Sequence, residues 1–160
     1  MNKIAVHHLL LQKLSVDLDV LQHAAQTAYE AATHEENVAE NKYDTLGLEA
    51  SYLATGQARR VEEIRQSLKR CHAMTLSPYN EAIGIQVGAL LSLESANGIE
   101  QWLLLAPDAA GIKLSLEGHS ITVITAHSPL GAALLGKQPG DEVQISVGAT
   151  AQRFTVNEVE

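Results

Sequence analysis

Two matching apolar ladders, separated by an acidic break, constrain this chain more than any other feature. Ile4, His7, Leu11, Leu14, Leu18, Leu21, Ala25, Ala28 and Ala32 follow one another in alternating steps of three and four. That spacing makes one continuous seam along an α-helix. Ala50, Ala54, Gln57, Val61, Ile64, Leu68 and Cys71 keep the same rhythm beyond the break. Folding the chain back on itself buries both seams, and the expected antiparallel register sets Leu14 near Val61, Leu11 near Ile64 and Ala25 near Ala50. Toward the bend Leu gives way to Ala, and Gly47 and Gly56 enter the returning helix. The expected result is a thin hairpin, with a helix of roughly 30 residues reaching about 45 Å. A glycine inside a helix costs about 1 kcal/mol relative to alanine, so close packing or flexibility is its expected role.

Leu76-Ser77-Pro78-Tyr79 should end the hairpin, because proline cannot continue a helix and restricts the residue before it. This divides the chain into residues 1–76 and 77–160. After the boundary Ile83, Ile85, Val87 and Ala89 alternate as a strand would, followed by strand-like segments at 101–105, 113–116, 120–125, 142–147 and 153–159. Ser128 suits a helix N-cap, Pro129 the first helical position and Gly136 the stop, so a short helix is expected there. Of its apolar residues, Leu130, Leu134 and Leu135 read as core. The fold class is α+β: an antiparallel coiled-coil hairpin, then a mostly antiparallel sheet with one short helix.

Charge and composition exclude several function classes. A net charge of −8 opposes a general nucleic-acid coat and gives no basis for sequence-specific DNA binding, since phosphate neutralisation needs excess Lys and Arg. Cys71 is the sole cysteine, so no internal disulfide or cysteine zinc cluster can form, and it reads as a small buried apolar residue. Leu9-Leu10-Leu11 is soon interrupted by Asp17 and Asp19; neither a signal peptide nor a membrane span is expected, and a cytoplasmic location fits. The seven histidines form no metal-binding motif. Phosphate-loop, dinucleotide and serine-protease patterns do not occur.

Two clusters remain as candidate sites. The break itself reads THEENVAENKYD from Thr33 to Asp44, with Glu35, Glu36, Asn37, Glu40 and Asn41 close together. Acids here could simply be solvated and favour the N-terminus of the returning helix; Asp44 and Glu49 read that way. Arg59, Arg60, Arg65, Lys69 and Arg70 gather almost half of the 11 basic residues on the returning helix. They form either a solvated face, partly balanced by Glu62 and Glu63, or a contact surface for acids or RNA.

The segment SPLGAALLGKQPGDEVQI, Ser128 to Ile145, resembles the C-terminal signature of the bacterial GreA/GreB transcription elongation factors, where Ser-Pro, a short apolar helix, Leu-Gly-Lys and Gly-Asp occur in that order. Hairpin, chain length and domain order are similar too. The resemblance implies an FKBP-like C-terminal domain docking on RNA polymerase and a hairpin entering its secondary channel. Ser128 and Pro129 would then help to orient the docking domain, and Arg59, Arg60, Arg65, Lys69 and Arg70 would face polymerase acids or the 3′ end of backtracked RNA. It further implies acidic tip residues that help to hold a magnesium ion shared with polymerase during cleavage of backtracked RNA. Magnesium prefers hard oxygen ligands and retains waters, so one or two carboxylates can complete such a site. Glu40-Asn41 matches the family's Glu-Asn pair, but Asn37 stands where the family carries Asp. An amide lacks the carboxylate's charge; Glu36 lies beside it and shares a face with Glu40 if the segment is helical. Catalytic roles therefore fall to Glu40, Glu36 and Asn37, with Glu40 and Glu36 as metal ligands. The same resemblance leaves a non-cleaving channel occupant open, since Rnk-like regulators share a similar C-terminal domain. Prolyl isomerisation is disfavoured, because Tyr79, Trp102 and Phe154 are few and far apart for an aromatic pocket.

Overall fold

The computed structural model describes residues 1–34 and 46–160, with the side chains of 46, 47 and 50 also outside the description. Helix α1 runs Lys3–Thr33 and α2 runs Leu46–His72. Six strands and one short helix follow: β1 Leu90–Ser95, β2 Glu100–Ala106, β3 Lys113–Leu116, β4 His119–Thr125, α3 Pro129–Leu134, β5 Glu142–Val147 and β6 Thr150–Val159. The class is α+β.

Two compact units divide the molecule. Gln12–Lys69 forms one, and Met1–Leu11 together with Arg70–Glu160 forms the other. In the helical unit Leu14, Ala28 and Val61 are buried, as the seam expects. Ala25 lines a groove with Ala54, Thr55, Ala58 and Val61; the side chain of Ala50, its expected partner, lies outside the described residues. Gln57, at a seam position, lines the opposite groove beside Ala28 and Leu53, and its Oε1 is buried with no hydrogen-bond partner among the described residues. Gly56 does not serve close packing, since a Cβ built there meets nothing within 4 Å. Gly47 lies outside the described side chains.

In the other unit the base of α1 departs from the seam. Ile4 is 58% exposed, whereas Val6 and Leu10 are fully buried beside Lys3 and His7. The buried positions 3, 6, 7 and 10 still have helical spacing, but the stripe is rotated from 4, 7 and 11 because this end of α1 belongs to the sheet-containing unit rather than to the helix pair. His7 Nε2 donates to the Cys71 carbonyl at 2.8 Å, and Lys3 Nζ donates to Ser77 O at 2.7 Å. Burial lowers the Lys3 pKa, opposed by Glu160. Cys71 is buried as expected, and burial, aided by Asp108, pushes its thiol up to about 11.

The strands form one mixed sheet in the order β3-β4-β2-β1-β6-β5. Only β2 and β4 pair in parallel; the other neighbours are antiparallel. Leu91, Leu93, Leu103, Leu105, Val143 and Val156 form a core with Ile85, Ala89 and Leu134. On the alternate positions Leu90, Leu104, Ile121 and Val123 are also fully buried, so the central strands are covered on both faces.

The first strand differs from its expectation. Residues 83–89 are turn and irregular backbone, and the strand is Leu90–Ser95. Gly84 and Gly88 have φ of +76° and +100°, which an extended strand does not use. A Cβ at Gly84 would lie 2.3 Å from Gly136 O, and one at Gly88 2.3 Å from Thr75 O. Both are points where two backbones meet.

Candidate functional site

The motif from Ser128 to Ile145 is assembled residue by residue from local chemistry. Ser128 is extended at φ −74°, and its Oγ accepts from Gly131 N at 3.0 Å while donating to Thr125 O at 2.8 Å. It thereby caps α3 and ties it to the end of β4. Pro129 follows at the first helical position and is exposed. Gly131 is buried so close to β4 that a Cβ would sit 2.0 Å from Thr125 O. Leu134 is fully buried, and Leu130 packs against the same core. Leu135 departs from expectation, being 39% exposed at the helix end.

Gly136 takes φ +75° and ends the helix. Its N–H donates to Ile85 O at 2.8 Å, and Ile85 N donates to Lys137 O at 2.9 Å. The Gly-Lys pair thus clamps the irregular segment before β1. Further on, Gly140 N donates to Val156 O at 2.7 Å and Val156 N to Asp141 O at 2.9 Å. Asp141 also accepts from Gln138 N at 2.9 Å. The motif therefore builds a hydrogen-bonded corner with Pro129 and Leu135 exposed on it.

The basic cluster is exposed at every position, Arg59, Arg60, Arg65, Lys69 and Arg70. At 3.6 residues per turn these do not form one stripe. Arg59 and Arg70 lie opposite the Val61–Leu68 seam, Arg65 and Lys69 occupy one flank and Arg60 the other. Two are paired: Arg65 with Glu62 and Arg70 with Asp108. The hydrogen bonds from Gln66 and Arg65 hold Glu62 below its ordinary pKa. Arg65 also reaches the groove lined by Gln22, Gln26 and Tyr29.

Glu36, Asn37 and Glu40, with the rest of residues 35–45, lie outside the described residues. Among the described residues no three His, Cys, Asp or Glu side chains cluster as metal ligands, and no helix is long and apolar enough to cross a membrane. The three aromatics weighed for a proline pocket are not brought together. Phe154 lines the groove by the β1–β2 turn, Tyr79 the cavity below 75–89, and Trp102 stacks edge-on to His119 at 5.9 Å. The partnership of the 80–88 segment with the motif has one sign in the sequence, Gly84, whose approach to Gly136 leaves no room for a Cβ.

Residues 82–160 match the family model described as transcription elongation factor, GreA/GreB, C-term. No curated protein sequence matches the chain. Among solved structures, GreA factor homolog 1 (Gfh1) of Thermus thermophilus is 18% identical over 94% of both chains, with a TM-score of 0.36. Gfh1 of Thermus aquaticus is 22% identical over 92% of each, at 0.38. The elongation factor GreA/GreB from Nitrosomonas europaea is 19% identical over 71% of this chain and 89% of that one, at 0.35. At such scores the structural likenesses carry no argument. The family match coincides with the capped helix, the Gly-Lys clamp and the Gly-Asp turn, and residues 82–160 form a C-terminal domain of the GreA/GreB transcription elongation factor kind.

Proposed function

We propose that the chain is an accessory factor of RNA polymerase in the cytoplasm, without enzymatic activity of its own. Its C-terminal domain docks at the mouth of the secondary channel and its helical hairpin occupies the channel. The observation that carries this reading is the family match over residues 82–160, borne by a motif whose conformation is fully accounted for around Ser128 and Gly136. The two long helices, 31 and 27 residues, supply a probe of suitable length, and Arg59, Arg60 and Lys69 add exposed cations for polymerase acids or a backtracked RNA 3′ end.

At the tip, Glu40 and Glu36 are the carboxylates available to complete a magnesium site whose remaining ligands belong to polymerase. Asn37 favours a second reading, occupancy of the channel without cleavage, because it contributes no charge where the family pattern has Asp. One gel series separates the two. Native-gel binding to core polymerase is followed by transcript cleavage on stalled, backtracked complexes with wild type, Glu40→Ala, Glu36→Ala and Asn37→Asp. Cleavage lost in Glu40→Ala and raised in Asn37→Asp supports the first reading. Binding without cleavage by the wild type supports the second, and failure to bind polymerase refutes both.

A further inference from the structure

The turn between β2 and β3 holds an alanine in the left-handed region. Ala109 has φ +67°, where its Cβ crowds the following carbonyl. Asparagine and aspartate visit this region by bonding to nearby backbone, and alanine has no group with which to do so. Interactions outside the residue must therefore keep it there.

Asp108 supplies that hold through three oxygens. Its Oδ1 accepts from Ala109 N at 2.6 Å, its Oδ2 pairs with Arg70, and its carbonyl accepts from Cys71 Sγ at 3.8 Å. Cys71 O accepts in turn from His7 Nε2 at 2.8 Å and from Met74 N at 3.2 Å. On the far side of the turn Ile112 N donates to Ala109 O at 3.3 Å, and Gly111 N to Val123 O at 2.8 Å. One residue thus joins the strained turn to the end of α2 and, through Cys71, to the base of α1. All of these groups lie in the unit formed by Met1–Leu11 and Arg70–Glu160.

The opposing contributions are of similar size. The Arg70 side chain is 58% exposed and that of Asp108 26%, so water and salt reach the pair and weaken it. What remains is of the same order as the cost of one alanine in the left-handed region. A contact so balanced against strain opens and closes rather than bracing the turn permanently.

We propose that Arg70 and Asp108 form a salt-sensitive latch. Closed, it keeps Ala109 left-handed and holds the end of α2 to the β2–β3 turn. Open, Ala109 relaxes, and the amides of Ile112 and Met74 lose protection. The inference does not depend on the channel reading.

Amide hydrogen exchange on the full chain tests it, with Arg70→Gln, Ala109→Gly and the two combined. Arg70 is exposed and glycine meets no left-handed penalty; amide spectra check that each variant retains the fold. Arg70→Gln should speed exchange at Ile112 and Met74 about fivefold. Raising salt from about 0.01 M to about 1 M should speed both amides in the wild type and change neither in Arg70→Gln. Adding Ala109→Gly to Arg70→Gln should bring Ile112 back toward the wild-type rate, because glycine removes the strain that opens the turn; a simple loss of contact would not be repaired in this way. The proposal is overturned if Arg70→Gln leaves both amides unchanged, if the wild type and Arg70→Gln respond alike to salt, or if Ile112 exchanges as fast in the double variant as in Arg70→Gln.

Discussion

Replacing Gly131 by alanine should destabilise the C-terminal domain, although alanine is the better helix former. The new Cβ would lie 2.0 Å from Thr125 O, 2.8 Å from Thr125 C and 3.0 Å from Ser128 Oγ. Two of these are backbone atoms that cannot swing aside, so α3 must move away from the end of β4 by roughly 1.5 Å to reach van der Waals separation. Thr125 O is where the cap is anchored, accepting from Ser128 N at 3.0 Å and Ser128 Oγ at 2.8 Å. Losing those two bonds costs about 2 kcal/mol and weakening the cap about 1 kcal/mol more. Against this, alanine returns about 1 kcal/mol of helix propensity. The net expectation is a loss of about 2 kcal/mol, within the range for inserting a methyl group into a closed site. Urea unfolding followed by far-UV circular dichroism measures it, with amide shifts around Thr125 and Ser128 locating the change. A variant as stable as wild type would refute the close-approach argument, and with it the view that this glycine sets the motif's geometry.

Gly56→Ala is the matching opposite case: the site is open, so alanine should stabilise the helical unit by about 1 kcal/mol, read as a higher urea midpoint. Cys71 predicts a pH dependence. Its folded pKa is about 11 against an ordinary 9.0, so the folded state holds the proton more tightly, and the associated stability is complete below pH 9 and lost as pH rises toward 11. About 2 to 3 kcal/mol should disappear across that window. Because Lys3 and Tyr79 are also shifted, the measurement is the difference in urea midpoint between wild type and Cys71→Ala; an unchanged difference across the window contradicts the burial argument.

How much of this was legible in the chain follows from how local each cause is. The short helix was readable because Ser128, Pro129 and Gly136 act within a few residues of themselves: one caps, one starts and one ends. The two long helices were readable for the same reason, their seams repeating over many turns. β1 was not. Its run Leu90-Leu91-Ser92-Leu93 is buried on both faces, so it has no alternation, while the preceding Ile83-to-Ala89 stretch alternates without being a strand. The two glycines that interrupt that stretch are explained only by Gly136 and Thr75, which reach them through the tertiary fold.

The sequence by itself determined that there would be two seams of helical period, a capped short helix and strands in the second half, because periodicity and capping are properties of neighbours along the chain. Tertiary structure alone decided the rest. It placed β4 parallel to β2, rotated the buried stripe at the base of α1 from Ile4 to Val6 and Leu10, and left residues 150–153 with β5 as their one strand neighbour. Each depends on which distant surface a residue meets, and packing against that surface outweighs the weak preferences a local pattern can express.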